Sequence, residues 1–562
     1  MIVEFKYAGQ SRIVSGLRDT HVGLATNSVR DPAFFRGTMG SPTLFREAMA
    51  SLYSVVVSDY KFHPRDRLAF KAWLDEQDRK FLANLGNRTE QAKLRIESLE
   101  SRRAVLDQRR IDRLKPFYRA RAEFFEWVYT HQYELKYLLD PVITVHPDEL
   151  SFEAFSQDES SYARVGVKYD LFEKIDEFAC GTTNIDFSST LHGELDRMRS
   201  YRRTRFDIDP SGLAMAMEGG SSHKEKKIDL PESWVKGFLQ VQSTMTLGLT
   251  RLRIEPVDLY NLCRFLKRHK ARSSPRAMRW ELVPGKRARV VFEPWETAIE
   301  MGASAVYDGP KPLTIRTWGR DRLSTLARII PTAQRIDVFL AGTGLPTIWL
   351  VDLGEITFTL ALSGWTDNDW TSGAGRFDLL SRRMDASPLE LTATWDALKA
   401  QRRGTESGLS LVTGLGVEKT RSALSYLCQV GRAMYDLGGG VYRQRELFPE
   451  PFTVKEAIAA VVAPAPSEAS PAGQKAQTIF GSGGVLITAR RPVSNGYKLS
   501  GSVKGVDGYR YRPMLGVDAS GRILEATCTC AWSQKHGLTQ GPCEHVLALR
   551  LGHMHRLEAE GA

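Results

Sequence analysis

The chain has 562 residues, with 77 Lys and Arg against 66 Asp and Glu for a net charge of +11, and 42% of its residues are hydrophobic and 25% charged. This balance excludes a disordered chain, a collagen-like fibre and an all-helical rod, and the length suits roughly three or four domains of about 150 residues each. No apolar run reaches the roughly eighteen residues of a membrane span, and MIVEFKYAGQSRIV at the start lacks the features of a secretion signal. The expectation is a soluble cytoplasmic protein. Of the six cysteines, Cys528, Cys530 and Cys543 crowd together while Cys180, Cys263 and Cys428 stand apart, which fits a reducing compartment better than a disulfide framework.

Residues 1–217 read as a helix-rich N-terminal region. Within it, 88–130 has no Gly and repeats apolar residues at Ala92, Ile96, Leu99 and Leu106 on helical spacing. Arg103 and Arg110 fall where a coiled-coil seam needs apolar side chains, so a helical hairpin packed on the rest of the chain is the better reading. Ten basic residues stand against four acidic ones between 93 and 121. Arg102, Arg103, Arg109 and Arg110 are the candidate contacts for nucleic acid or an acidic partner. A solvated helix face of mixed charge is the plainer account of the same segment.

A polar stretch, EGGSSHKEKK at 218–227, marks a boundary, and 228–385 reads as an α+β, sheet-rich domain. PVDLYNLCRFLKRHK, from Pro256 to Lys270, predicts a helix. Pro stands at its start, Asp258 in its first turn and a basic cluster in its last, and Cys263 lies on the apolar stripe as a core residue. From Met278 to Leu362 come short β-branched and aromatic runs separated by Gly or Pro, such as RARVVFEPW, RIDVFLAG and EITFTLALSGW. Trp280, Trp295, Trp318, Trp349, Trp365 and Trp370 could form a stacking platform, but on such strands they read first as core or edge packing.

Residues 386–460 look like a winged helix: LTATWDALKAQRR, a short helix near 409–415, a helix from Glu418 to Gly431, then a hairpin turning at Gly438 to Gly440. Lys419 and Arg421 on the third helix and Arg443 and Arg445 on the wing are the candidate phosphate contacts, and a protein-docking use is equally open. APAPSEASPAGQKA, at 463–476, reads as a linker that gives the C-terminal module, 478–562, positional freedom.

That module carries ATCTCAWSQKHGLTQGPCEHVLALRL, of the form C-x-C-x12-C-x-H. A hairpin turning at 518–521 would bring Cys528 and Cys530 to its end on one face, and Cys543 and His545 would fall in the first turn of a helix. Three thiolates and an imidazole complete a tetrahedron, so Cys528, Cys530, Cys543 and His545 are read as ligands of one structural Zn2+ with no open position for catalysis.

The pattern of strands, C-x-C, loop, C-x-H and helix resembles the SWIM zinc finger at all four ligand positions. That resemblance implies DNA binding and protein interaction. Together with PVDLYNLCRFLKRHK, VFLAGTGLP and SGWT, the chain resembles long bacterial SWIM proteins, which implies a MoxR-type AAA+ ATPase and a von Willebrand A domain protein as partners. No phosphate loop, kinase signature, H-E-x-x-H or G-x-S-x-G occurs. The expected architecture is multidomain α+β: an N-terminal helical region, a sheet-rich middle domain, a winged-helix-like domain and a C-terminal SWIM finger. The expected function is that of a non-catalytic adaptor for nucleic acid, protein or both. A transposase- or nuclease-like enzyme that uses the finger for targeting is the alternative.

Overall fold

In the computed structural model the described residues are 12–15, 19–25, 34–59, 105, 141–184, 189–201, 203–209, 214–216, 223–224, 232–271, 276–364, 369–371, 377–380, 386–445, 447, 470–493, 496–518 and 522–561. The chain divides into two units, Lys61–Leu138 and the remainder. The expected basic helix at 88–130, with Arg102, Arg103, Arg109 and Arg110, lies outside the described residues apart from Val105, which is helical.

The core of the larger unit is a sheet of eight strands made from two antiparallel meanders. The first is Val142–Val145, Glu149–Phe155 and Ser161–Lys168; the second is Arg335–Leu340, Thr347–Asp352 and Ile356–Leu362. Ser161–Lys168 pairs antiparallel with Ile356–Leu362, from Ser161 opposite Leu362 to Val167 opposite Ile356, and this joins the halves. Thr250–Ile254 closes one edge and Gly181–Asn184 the other. Burial on both faces explains the near-continuous β-branched and aromatic runs.

This pairing corrects the expected boundary near 218–227. Strands from both sides of it share one sheet, and the described part of 1–217 is mainly strand rather than helix. Besides the central sheet, five strands between Arg12 and Asp209 enter a second sheet of seven. The misreading has a physical cause. Glu149, Glu153 and Arg164 interrupt the apolar runs yet are all buried, so the local pattern looks less like a core strand than it is.

The middle segments behave as expected. Met278–Leu282, Arg289–Phe292, Thr297–Glu300 and Leu313–Thr317 form an antiparallel sheet of four strands. Trp280 packs beside Trp349 with ring centroids 6.0 Å apart, and both are buried with Trp370, so these three are core and not a platform. Helix Pro256–Arg268 has Pro at its start and buries Asp258, Leu259, Leu262 and Leu266. Asp258 Oδ2 accepts from Ser304 Oγ at 2.5 Å and from the Ala303 N–H at 3.1 Å. Cys263, expected in the core, is only partly buried and packs against it, and burial pushes its thiol up to about 12.

Residues 386–445 have their own apolar cluster. Helices Pro388–Gln401, Glu406–Thr413 and Val417–Gln429 are followed by the hairpin Ala433–Asp436 and Val441–Gln444, which Arg403–Gly404 joins as a third strand. Ser387 and Glu390 form a capping box at the first helix. Buried Cys428, its thiol pushed up to about 12 by burial, packs in this cluster.

The hairpin departs from expectation in its charges. Arg443 and Arg445 are 3% and 0% exposed and face the central sheet. Arg443 pairs with Asp148 at 2.6 Å, Asp436 at 3.0 Å and Glu149 at 3.3 Å. Arg445 pairs with Glu153 at 2.7 Å, and its guanidinium lies 4.9 Å from the centre of the Phe238 ring. Arg164 pairs with Glu149 and approaches Asp436 at 4.0 Å. Neither hairpin arginine can reach a phosphate without breaking these pairs, so both are withdrawn as nucleic-acid contacts.

Because Glu153 is fully buried, Arg445→Ala would leave a carboxylate without its cation, and the expected loss of stability is about 3–5 kcal/mol. Urea unfolding followed by tryptophan fluorescence measures it. The double change Arg445→Met, Glu153→Gln, which keeps an acceptor for the Tyr162 hydroxyl, should recover most of the loss, and an equal cost for both variants would show that the ion pair is not the cause.

Candidate metal centre

The C-terminal module begins earlier than composition suggests. The expected linker at 463–476 is helical from Pro471, in Pro471–Gly481, because Ser470 Oγ caps the Gly473 N–H at 3.0 Å and Pro stands in the first turn. Ala472, Ala476 and Ile479 form its buried stripe, and Phe480 meets His555 of the last helix, Glu544–Gly561, at 5.5 Å between ring centroids.

Five strands follow: Val485–Val493, Gly496–Lys504, Arg510–Tyr511, Met514–Val517 and Ile523–Thr527. Their inner face carries Leu499, Val503, Leu515 and Val517 to the last helix, where Val546, Leu547 and Leu549 are buried. Gly501 allows that approach, since a Cβ there would lie 2.5 Å from Leu549 Cδ1.

The module also rests on the body. Arg522, held by Asp518 at 2.8 Å, donates to the Thr246 carbonyl at 2.8 Å, and the Thr539 methyl occupies the space that a Cβ on Gly344 would need. The positional freedom expected of it is therefore reduced to a docked arrangement.

The four ligand candidates converge from two turns. Cys528 and Cys530 sit just past the last strand rather than on it, and Cys530 is the N-cap of a short helix, Ala531–His536, in the loop. Ser533 ties the turn together: its N–H donates to Cys530 Sγ at 3.4 Å, and its Oγ accepts from the Cys528 N–H at 2.9 Å. Cys543 immediately precedes the last helix and His545 is in its first turn. One ligand atom from each of the four lies within 4.8 Å of the others, and all four residues are buried.

Residues that the sequence reading missed complete the surroundings of His545. The Tyr511 ring packs against it at 4.0 Å between centroids, and Tyr511 Oη donates to Asp507 Oδ2 at 2.5 Å. Gly505 has no room for a side chain, because a Cβ would fall 2.9 Å from His545 Nε2 and 2.6 Å from Asp507 Oδ1. The signal for this turn was the run GVDGYRY, whose Gly and Asp mark a tight connection between strands. His545 Nδ1 is buried without a hydrogen-bond partner, the state of a nitrogen that a metal would satisfy.

Without metal the thiols share protons. A hydrogen bond from Cys543 brings the Cys528 thiol down to about 4 against the opposing effect of burial. Cys543, as donor to Cys528 and as a buried group, is pushed far up, and burial raises Cys530. Three sulfurs and a nitrogen, buried and convergent, fit one structural zinc ion.

The other candidates stay apart from this centre. Lys419 Nζ lies 3.9 Å from Glu390, and Arg421 pairs with Glu406 at 2.7 Å and Glu418 at 2.6 Å. Arg443 and Arg445 are interior.

Cys543→Ser and His545→Ala should each lower the bound zinc from one per chain towards none by elemental analysis. Uptake of zinc near pH 7 should release thiol protons, chiefly from Cys543 and Cys530, whose proton-bound forms the apo cluster favours. Titration calorimetry in buffers of different ionisation heat counts them, and affinity should fall as the pH drops. Release of no protons would contradict the shared-proton state.

No curated protein matches the chain. Among solved structures it is similar to the proliferating cellular nuclear antigen of Entamoeba histolytica, at 9% identity over 59% of this chain and 98% of that one, with a TM-score of 0.34. It is also similar to the C-terminal region of FEN-1 bound to A. fulgidus PCNA, at 12% identity over 41% and 91%, with a TM-score of 0.32. Scores this low assign neither fold nor function. The family match is local: residues 513–549, which contain Cys528, Cys530, Cys543 and His545, match the SWIM zinc finger.

Proposed function

We propose that this protein is a non-catalytic, zinc-dependent adaptor of the bacterial cytoplasm that binds nucleic acid, a protein partner, or both. The observation that carries the reading is the closed Cys3His cluster inside the SWIM match, which uses every tetrahedral position for protein ligands. Such a metal holds a shape and offers no position for water or substrate.

The order of helices and hairpin in 388–444 supports a winged-helix reading. Its wing arginines are tied up inside the molecule, which favours a module used for packing or protein docking over one that reads a groove. Arg102, Arg103, Arg109 and Arg110 remain candidate phosphate contacts. A MoxR-type AAA+ ATPase and a von Willebrand A domain protein are the partners that the SWIM resemblance implies.

Pull-down of the tagged chain from its native lysate, with and without nuclease, tests the reading. The AAA+ partner should persist after nuclease, and nucleic acid should be recovered without it. Both should diminish in a Cys528→Ser, Cys530→Ser form, which lacks the zinc-held module. Strand scission that requires Mg2+ and disappears on substitution of a carboxylate would instead establish the nuclease-like alternative.

A further inference from the structure

The C-terminal sheet has one face against the last helix and one face open. Register and alternation decide which residues stand on the open side. Ser500 lies opposite Met514, Met514 opposite Thr527, Leu486 opposite Ser502 and Arg491 opposite Lys498. Leu499, Val503, Leu515 and Val517, one residue out of step, are the buried set. The open face therefore carries Arg491 on the first strand, Lys498 and Lys504 on the second, and Arg510 and Arg512 on the third run. All five are exposed.

Between these cations the floor is small or hydroxylated, with Ser500, Ser502, Gly516 and Thr527. Two apolar side chains, Leu486 and Met514, are 59% and 56% exposed there. Glu525 is the acid on this face, and it meets Lys498 in an ion pair that is itself about 60% exposed. Arg491, Lys504, Arg510 and Arg512 have no carboxylate partner among the described residues. At the end of the face, in the turn after Lys504, Tyr509 is 71% exposed.

Elsewhere in the larger unit many guanidiniums are held by carboxylates, as Arg164, Arg443 and Arg445 are. Cations that face each other across strands, Arg491 beside Lys498 and Lys504 beside Arg510, about 5 Å apart within each pair and about 20 Å from one pair to the other, over hydroxyls that can donate, suit a chain of phosphates. An exposed tyrosine at its margin suits a base taken out of its stack.

We propose that this open face is the surface on which a single strand of nucleic acid lies, with Arg491, Lys498, Lys504, Arg510 and Arg512 on its phosphates and Tyr509 against a base. This rests on the adaptor reading and deepens it by assigning the nucleic acid to the outer side of the zinc-held sheet. The zinc cluster lies behind that sheet and touches no ligand; it keeps the strands in register.

Fluorescence anisotropy of the zinc-loaded full chain with a labelled oligonucleotide, single-stranded or duplex, tests the assignment over a range of salt. The wild type should bind the single strand more tightly than the duplex. Arg491→Glu, Arg510→Glu, Arg512→Glu should weaken it at least tenfold and lower the slope of log K against log salt by about two, near 0.7 for each cation that no longer meets a phosphate of a single strand. Tyr509→Ala should weaken the single strand while leaving the slope in place.

The control reverses three exposed cations on another surface, Arg264→Glu, Lys267→Glu, Arg268→Glu, with zinc content and circular dichroism checked for every variant. An equal loss in this control would make the effect one of net charge and overturn the surface. Binding that survives the sheet reversals, or a preference for the duplex, would overturn it and leave the adaptor reading standing. Displacement of the strand by polyglutamate of matched charge would overturn the nucleic-acid assignment in favour of an acidic protein. Absence of any salt-dependent binding by the wild type would overturn both the surface and the nucleic-acid part of the adaptor reading.

Discussion

Arg164 stands on the strand where the two meanders meet, and the arrangement of the larger unit depends on what surrounds it. With Glu149 and Glu153 it places charge inside a sheet that is otherwise apolar on both faces. Charges so buried must be met by opposite charges in fixed positions, because a single unpaired one costs several kcal/mol. Arg443, Arg445 and Asp436 on the hairpin meet them, and burial, which would raise the Asp436 carboxyl, is outweighed by Arg164 and Arg443, which hold it below its usual range. The network dictates which surface covers the sheet more than it adds net stability. Small residues follow from that contact: Gly438 sits where a side chain would press within 3.2 Å of Leu350 on the sheet.

A different constraint governs the C-terminal module. Its sheet is covered on one side by the helices Pro471–Gly481 and Glu544–Gly561, and its buried residues run on into the core of the larger unit. A metal that binds the folded form adds to what this one-sided burial contributes. The four ligands also join what backbone hydrogen bonding leaves separate, the end of the last strand and the start of the last helix. Tyr511 packs on His545 from the inner side of the sheet. The cluster thus touches the strand Arg510–Tyr511, whose next residue is Arg512.

Legibility in the sequence followed the range of the interactions. The C-x-C and C-x-H pairs are local, and their convergence was foreseen because zinc chemistry fixes what they must do. Helix Pro256–Arg268 and the strands from Met278 to Leu362 were likewise readable, since capping, dipole and β-branched runs act over a few residues. Hidden features had distant or composition-masked causes. Arg445 looks like a surface cation until Glu153, 292 positions away, is placed beside it. The shared sheet needs Ser161 to meet Leu362, which no periodicity announces. Pro471–Gly481 was obscured by its Ala, Pro and Ser content, although Ser-Pro-Ala is itself a helix start.

The excess of positive charge therefore has two physical meanings that composition cannot separate. A guanidinium on the hairpin and one on the outer sheet contribute equally to the +11 of the chain. The first is neutralised by carboxylates at hydrogen-bonding distance and projects little field, whereas the second keeps its field and its hydration. Attraction of a polyanion depends on the second kind alone, because counterions gather only around charges that solvent can reach. It is the pairing of each cation, more than its number, that separates the outer face of the zinc-held sheet from the hairpin.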